Sequence, residues 1–331
     1  MKKKKRSEIS HVKFVTCARL TRTFEKAFRI FAAIKLNPME NHSIKPVASN
    51  TILVPVDFTS VAETAINHAT DLARVFGKNV SLLHVVETGF LDSEKKKEQK
   101  EVEAKAQLKV LADKIISTTG VKADYLTDRG NIFDSIGEIA EKHNAALVVM
   151  GTHGVHGMQH IVGSRALRVI TNANRPFVVV QNKAIRAHGY KNIVLPIDFS
   201  KESKQKLVWA AELSKKFHSK FHILADFESD EFAANAVRNN IAYAESYLKK
   251  AGCDFTVTRV TKDENFAKET IRFAASIDAD LIIIMTNLER DLGDYIIGPY
   301  EQTVIANDAQ VPVMTLHPVD NMLIQGGILF Q

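Results

Sequence analysis

The chain has little that cross-links, spans or rigidifies. It holds 2 cysteines in 331 residues, Cys17 and Cys253. They lie far apart and outside any metal-ligand spacing, which excludes a disulfide framework and a thiolate metal site and suits a reducing, cytoplasmic setting. No apolar run approaches the ~20 residues that cross a bilayer, so no integral membrane segment is expected. The body also lacks positive charge. The formal net charge is +6, but residues 1–38 hold eleven Lys/Arg against two Glu, a balance of +9 that leaves −3 for residues 39–331. The high pI therefore belongs to the leader, and nucleic acid is not an expected partner.

That leader, residues 1–49, opens Met1-Lys-Lys-Lys-Lys-Arg6 and spaces Phe24, Phe28, Ile30, Phe31 and Ile34 among basic residues. A basic amphipathic helix on anionic lipid, a targeting segment, and a disordered or non-native extension with Met39 as the start all fit that pattern. The third fits best, because the organisation of the chain needs nothing before residue 50.

What the chain does contain is a repeat. Thr51-Ile-Leu-Val-Pro-Val-Asp-Phe-Thr-Ser60 returns as Asn192-Ile-Val-Leu-Pro-Ile-Asp-Phe-Ser200, Leu147-Val-Val-Met150 as Leu281-Ile-Ile-Ile-Met285, and Pro176-Phe-Val-Val-Val180 as Val311-Pro-Val-Met-Thr315. The period, near half the chain, is too long for a solenoid and describes a duplicated domain. Apolar runs alternate with amphipathic stretches in both copies. The first reads strand 51–57, helix 60–76, strand 80–87, helix 93–118, strand 121–127, helix 131–143, strand 145–150, loop, helix 164–173, strand 176–181. The second reads strand 192–198, helix 202–217, strand 220–225, helix 231–251, strand 254–260, helix 265–276, strand 280–285, loop, helix 300–307, strand 311–315. Ser60 with Glu63 gives the first helix a capping-box signature. The expected fold is α/β: two tandem, doubly wound, five-stranded parallel-sheet domains at 50–182 and 191–318, packed as an intramolecular pseudo-dimer, with a tail at 319–331. The last strand of each unit is an edge, and pairing Pro176–Gln181 with Val311–Thr315 would cover both. Any further homodimer would use another surface.

The stretch richest in chemistry is Met150-Gly-Thr-His-Gly-Val-His-Gly-Met-Gln-His-Ile-Val-Gly-Ser164, between a buried strand and a helix start. Glycines allow close backbone approach, and free amides at a helix N-terminus favour an anion. The spacing is neither the P-loop nor the dinucleotide fingerprint. His153, His156 and His160 raise a zinc reading, weakened by the lack of any carboxylate or thiolate in the loop, and no metal site is assigned.

Joined to Pro55-Val-Asp57 on the first strand and His84-Val85 on the second, this loop resembles the universal stress protein family. The resemblance covers 51–181 closely and 192–315 in outline. It implies a fold of the adenine nucleotide alpha hydrolase type and a stress-response protein that binds ATP or a related adenine nucleotide in its first domain, often with a divalent metal such as Mg2+. By resemblance, Pro55, Val56 and Asp57 meet adenine and ribose, and Val85 lines the base pocket. Met150, Gly151, His153 and Gly154 flank the ribose and first phosphates, and Gly163, Ser164, Arg165 and Ala166 hold the outer ones. The family's ATP-binding members carry Gly-x2-Gly-x9-Gly-Ser/Thr. Here eight residues separate Gly154 from Gly163, one fewer. The residues also admit plainer roles: Asp57 recurs as Asp198 and could cap the next helix, His84 could be a satisfied core histidine, and the glycines could serve turns alone.

In the second unit Thr286, Glu289 and Pro299 stand where the first has Gly151, Gly154 and Ser164, and Glu289, Asp291 and Asp294 face one Arg290. Lost glycines, a proline without N–H and a negative balance all oppose phosphate. Pro196 and Asp198 persist, so a base-sized pocket is expected to survive there. No base–nucleophile pair accompanies the first loop, so a sensor or regulator is expected rather than an enzyme, with slow hydrolysis or self-phosphorylation at Ser164 left open. A nucleotide-free protein-interaction module is the alternative. A PP-loop enzyme would want a Ser-Gly-Gly-x-Asp-Ser loop that Asp57-Phe-Thr-Ser60 does not supply.

Overall fold

In a computed structural model, residues 50–87, 93–152, 164–171, 173–261, 265–289 and 294–318 are described. All fall in one compact unit, Pro46–Gln331. The first domain runs β1 (Thr51–Pro55), α1 (Ser60–Phe76), β2 (Asn79–Val86), α2 (Glu94–Thr119), β3 (Ala123–Arg129), α3 (Ile132–Lys142), β4 (Leu147–Gly151), α4 (Ser164–Thr171) and β5 (Phe177–Val180). The second runs β6 (Asn192–Ile197), a 3-10 turn (Lys201–Lys204), α5 (Lys206–Phe217), β7 (Lys220–Ala225), α6 (Glu231–Lys250), β8 (Asp254–Arg259), α7 (Phe266–Ser276), β9 (Leu281–Met285), β10 (Asn287–Glu289), β11 (Asp294–Ile296), α8 (Pro299–Ile305) and β12 (Val313–Leu316).

The two five-stranded sheets join into one of ten strands, ordered β3-β2-β1-β4-β5-β12-β9-β6-β7-β8. Each half is parallel, and the seam is antiparallel: Val179 faces Val313, Val178 faces Met314 and Phe177 faces Thr315. That register is symmetric about the Val178–Met314 pair, so Gln181 and His317, each just past its seam strand, occupy equivalent places. Pairing the two last strands covers both edges, as the apolar runs predict.

Strands buried on both faces need two cores, and both run through the two domains. One face carries Val54, Val56, Val149, Val178, Leu195 and Met314 beneath α1, α2, α5 and α6. The other carries Leu53, Val85, Met150, Val179, Ile282 and Val313 beneath α3, α4, α7 and α8. The linker between the domains is pinned. Buried His68 bonds the Tyr190 hydroxyl through Nδ1 (2.7 Å) and the Lys183 carbonyl through Nε2 (3.0 Å). Asp280 accepts from the backbone amides of Lys191 (2.9 Å) and Asn192 (2.8 Å).

Three local expectations are corrected. The cap of α1 is Thr59, not Ser60: its side chain accepts from Ala62 N at 3.3 Å. Asp57 decides this, because its Oδ1 takes both the amide (3.1 Å) and the hydroxyl (2.6 Å) of Thr59 and fixes that residue outside the helix. Glu63 instead pairs with Lys114 of α2 at 3.0 Å. Thr59→Ala should therefore cost about 1 kcal/mol in urea unfolding, and Ser60→Ala only a few tenths. The expected helix 202–217 divides into the 3-10 turn and α5. The expected loop 286–299 holds an antiparallel hairpin, with Asn287 opposite Ile296 and Glu289 opposite Asp294.

Candidate functional site

In each domain the chain lays its second and third strands to one side of its first, then returns to the other side with the fourth. β1 thus lies between β2 and β4, and β6 between β7 and β9. Winding reverses there, and the crevice at the carboxyl ends of such strands is where open α/β sheets hold ligands. Pro55, Val56 and Asp57 sit at the end of β1, Met150 and Gly151 at the end of β4, and Val85 at the end of β2.

Their surroundings differ in kind. Asp57 is exposed, and its bonds to Thr59 use Oδ1 alone, leaving Oδ2 outside the turn. One carboxylate oxygen therefore serves the helix start. Val56 is buried, donates its N–H to the Leu83 carbonyl at 2.7 Å, and its own carbonyl faces His84 Nδ1 at 2.7 Å. Adjacent carbonyls of a strand point to opposite neighbours. Since Val56 spends its groups on β2, the Pro55 carbonyl faces β4, into the crevice. His84 also packs on the Phe58 ring, 4.7 Å between centroids, so it is a bonded, half-buried histidine. Phe58 holds φ at +62°, a left-handed turn just past Asp57. Val85 and Met150 lie in the core under α3 and α4, on the face opposite Val56.

Gly151 has a packing duty that its place beside a glycine-rich loop conceals. A β-carbon there would lie 2.8 Å from Val61 Cγ1 and 2.9 Å from the Val61 carbonyl oxygen. The absent side chain lets β4 press on the first turn of α1. His153, Gly154, His156, His160 and Gly163 lie outside the described residues. Ser164, Arg165 and Ala166 form the first turn of α4, whose backbone alone is described.

The matching crevice of the second domain is occupied from within. Ile197 receives Asp226 N on the β7 side, at 2.9 Å, so the Pro196 carbonyl faces β9. Lys206 of α5, fully buried, donates its ammonium to that carbonyl. Burial pushes its pKa down to about 8, while the negative charges of Asp198 and Glu301 pull the other way. Glu301, in the first turn of α8, is itself buried. The repeat places Ala65 of α1 where Lys206 stands and Ala166 where Glu301 stands. Pro196 is buried where Pro55 is half-buried, and Asp198 half-buried where Asp57 is exposed. Asp198 keeps the turn bond, its Oδ1 accepting from Ser200 N at 2.9 Å and Ser200 Oγ at 2.6 Å. The base-sized pocket expected from Pro196 and Asp198 is thus taken by a lysine side chain. The signal for it was a lysine in the register where the first helix has a buried alanine. The start of α8 follows expectation: Gly298 precedes Pro299 and supplies no side-chain cap.

The universal stress protein family profile matches residues 49–181 and again 189–317. A universal stress protein of Methanocaldococcus jannaschii is 35% identical over 142 residues, 39% of this chain and 81% of that protein. Universal stress protein G of Escherichia coli O157:H7 is 30% identical over 142 residues, 40% of this chain and 98% of that protein. Among solved structures, a universal stress protein from Archaeoglobus fulgidus shares the fold with a TM-score of 0.69 at 19% identity, over 82% of this chain and 99% of that one.

Proposed function

This chain belongs to the universal stress protein family, and from that premise we propose that it acts in stress response by binding an adenine nucleotide in its first domain only. The ligand is ATP or a relative, held between the ends of β1 and β4 with its phosphates toward α4. Pro55, Val56 and Asp57 would meet the base and ribose, with Val85 and Met150 supporting the base pocket from the core. Gly151, His153 and Gly154 would pass beside the ribose and first phosphate. Gly163, Ser164, Arg165 and Ala166 would hold the outer phosphates, with Mg2+ where a triphosphate is bound. The role is a sensor or regulator rather than a rapid catalyst.

One observation carries this reading: the two equivalent crevices are unlike. The second is filled by Lys206 against the Pro196 carbonyl beside Glu301, and the first has alanine at both places and an exposed Asp57. A helix start beside a crevice with no lysine among its described residues suits an anion, each favourable charge–dipole contact being worth ~0.3–1 kcal/mol when exposed. A nucleotide-free interaction module is favoured by two other observations, the use of Gly151 for packing on α1 and of Asp57 for the Thr59 turn.

Separate titrations of the full chain with ATP plus Mg2+, AMP and cyclic AMP decide between them. Asp57→Asn keeps an oxygen for Thr59 but loses the charge, so it should unfold as the parent does and bind roughly tenfold or more weakly, as expected for a lost charged hydrogen bond. Folded parent protein that binds none of the three supports the interaction module.

A further inference from the structure

A strand at the edge of a sheet presents backbone groups that the sheet itself does not pair. In the ten-stranded sheet the edges are β3 and β8. On β8, alternation along the strand fixes which groups those are. Val260 donates its N–H to the Ala225 carbonyl at 3.0 Å, so Thr256, Thr258 and Val260 turn their backbone groups to β7. Phe255, Val257 and Arg259 turn theirs away from the sheet. The side chains alternate as well. Phe255 and Val257 pack on the core beneath α6. Thr256 and Thr258 lie on the α7 side and are exposed, the first bonding His222 at 3.1 Å.

A second copy of this chain fits that edge in one register. Two antiparallel strands related by a two-fold axis normal to the sheet set residues of the same face opposite each other, so the axis passes through a residue. An axis through Thr256 would need Cys253 opposite Arg259, but the Cys253 amide already donates to the Leu248 carbonyl at 2.9 Å. An axis through Val257 sets Val257 opposite itself and Phe255 opposite Arg259, and satisfies the outward N–H and C=O of all three. The side chains then agree. Arg259 meets an aromatic ring, and Thr256 meets Thr258. Asp254 comes opposite Val260, at a hollow of about 410 Å³ between β8 and α7 whose lining carries Arg259 and Arg272 against one acid, Glu269. The other edge is guarded. Full overlap of β3 with its own copy would set Asp124 opposite Asp128 twice, and Thr127 and Arg129 are held by Glu101 at 3.1 and 2.7 Å.

We propose that β8 is an interface for a second copy of this chain, which joins the two ten-stranded sheets antiparallel about Val257. The β5–β12 seam makes the same kind of join within the chain, antiparallel about one residue pair. Strand pairing alone covers less than the ~1,200 Å² of a stable interface. The hollows of both copies lie beside the axis on one face, and closing them covers the apolar walls formed by Leu224, Val260 and Phe273. The product is a concentration-dependent dimer. It leaves the first crevice open, because β1 lies seven places along the sheet from β8, ~34 Å at ~4.8 Å per strand. The interface therefore stands independently of the nucleotide reading.

Sedimentation velocity of the full chain should show monomer passing to dimer between ~1 and ~100 μM. Thr256→Lys combined with Thr258→Lys sets lysine opposite lysine twice and should weaken association roughly tenfold or more. Thr256→Lys combined with Thr258→Glu sets lysine opposite glutamate twice and should bring it back to within a few-fold of the parent. Both double variants lose the same bond to His222, so a merely structural effect would move them alike. Val257→Pro removes an N–H that the β7–β8 ladder does not use and should also weaken the dimer roughly tenfold or more. Tyr125→Pro, at an outward place on β3, should leave it intact. Should Val257→Pro not fold, the exposed threonine pairs still decide. A parent chain that stays monomeric at ~100 μM overturns the proposal. So does a Lys/Lys variant that dimerises like the parent, or a Lys/Glu variant no tighter than Lys/Lys. Dissociation by Tyr125→Pro and not by Val257→Pro would move the interface to β3 and contradict it equally.

Discussion

Gly151→Val should destabilise the protein by on the order of 3 kcal/mol, seen as a lower urea midpoint, before any question of ligand arises. The β-carbon alone would meet the Val61 carbonyl oxygen at 2.9 Å and its carbonyl carbon at 3.0 Å. These are backbone atoms of the first turn of α1 and cannot swing aside as a side chain would. Strand β4 or helix α1 must move, and both are packed into the core that runs through the two domains. Val61→Ala would remove the Cγ1 contact and leave the backbone contacts, so it should rescue only part of the loss. A Gly151→Val protein with the parental midpoint would show that β4 and α1 do not press together as described. The same contact makes this variant a poor probe of the site, since lost binding would report the shifted helix, whereas Asp57→Asn alters the site without touching that contact.

Lys206→Met should remove a pH dependence of stability worth on the order of 3 kcal/mol between pH 7 and pH 10. The unfolded lysine keeps its proton to about pH 10.5 and the folded one only to about 8. Across that window the unfolded chain binds more protons, so this group makes stability rise with pH, and its contribution is lost again as pH falls through 8. Buried Tyr190 and half-buried Tyr300 are both held protonated well above their usual range by desolvation, which acts oppositely above pH 10. The comparison is therefore the difference between parent and variant, measured by urea unfolding at several pH values from 7 to 10. The parent should gain steadily on Lys206→Met. A constant difference would mean that Lys206 is not the buried cation of the second crevice.

Much of the fold is written in periodicity. Short apolar runs alternating with amphipathic stretches place every strand of the ten-stranded sheet and the main helices within a few residues, and the recurrence of Pro55-Val-Asp57 as Pro196-Ile-Asp198 shows the duplication. What escapes is decided by partners distant in sequence. Thr59 and Ser60 are both competent caps, and only the Asp57 carboxylate selects the first. Lys206 reads as the polar face of an amphipathic helix until the sheet is laid beneath it. Gln181 reads as a polar residue after a last strand, and its bond to the Asn307 carbonyl exists only across the seam. Gly151 was legible as a position needing no side chain, but the neighbour that demands this is a helix rather than a ligand. The hairpin β10–β11 lies in an acidic stretch whose pattern resembles a loop. Local propensity fixes elements, while packing assigns the duties of single side chains.

The most direct test of the unlike crevices is a count of sites. Calorimetric titration of the full chain with ATP plus Mg2+ should saturate at one nucleotide per chain, with that binding weakened by Asp57→Asn and untouched by Asp198→Asn. Two nucleotides per chain, or one that survives Asp57→Asn and is lost with Asp198→Asn, would contradict the assignment of the site to the first domain.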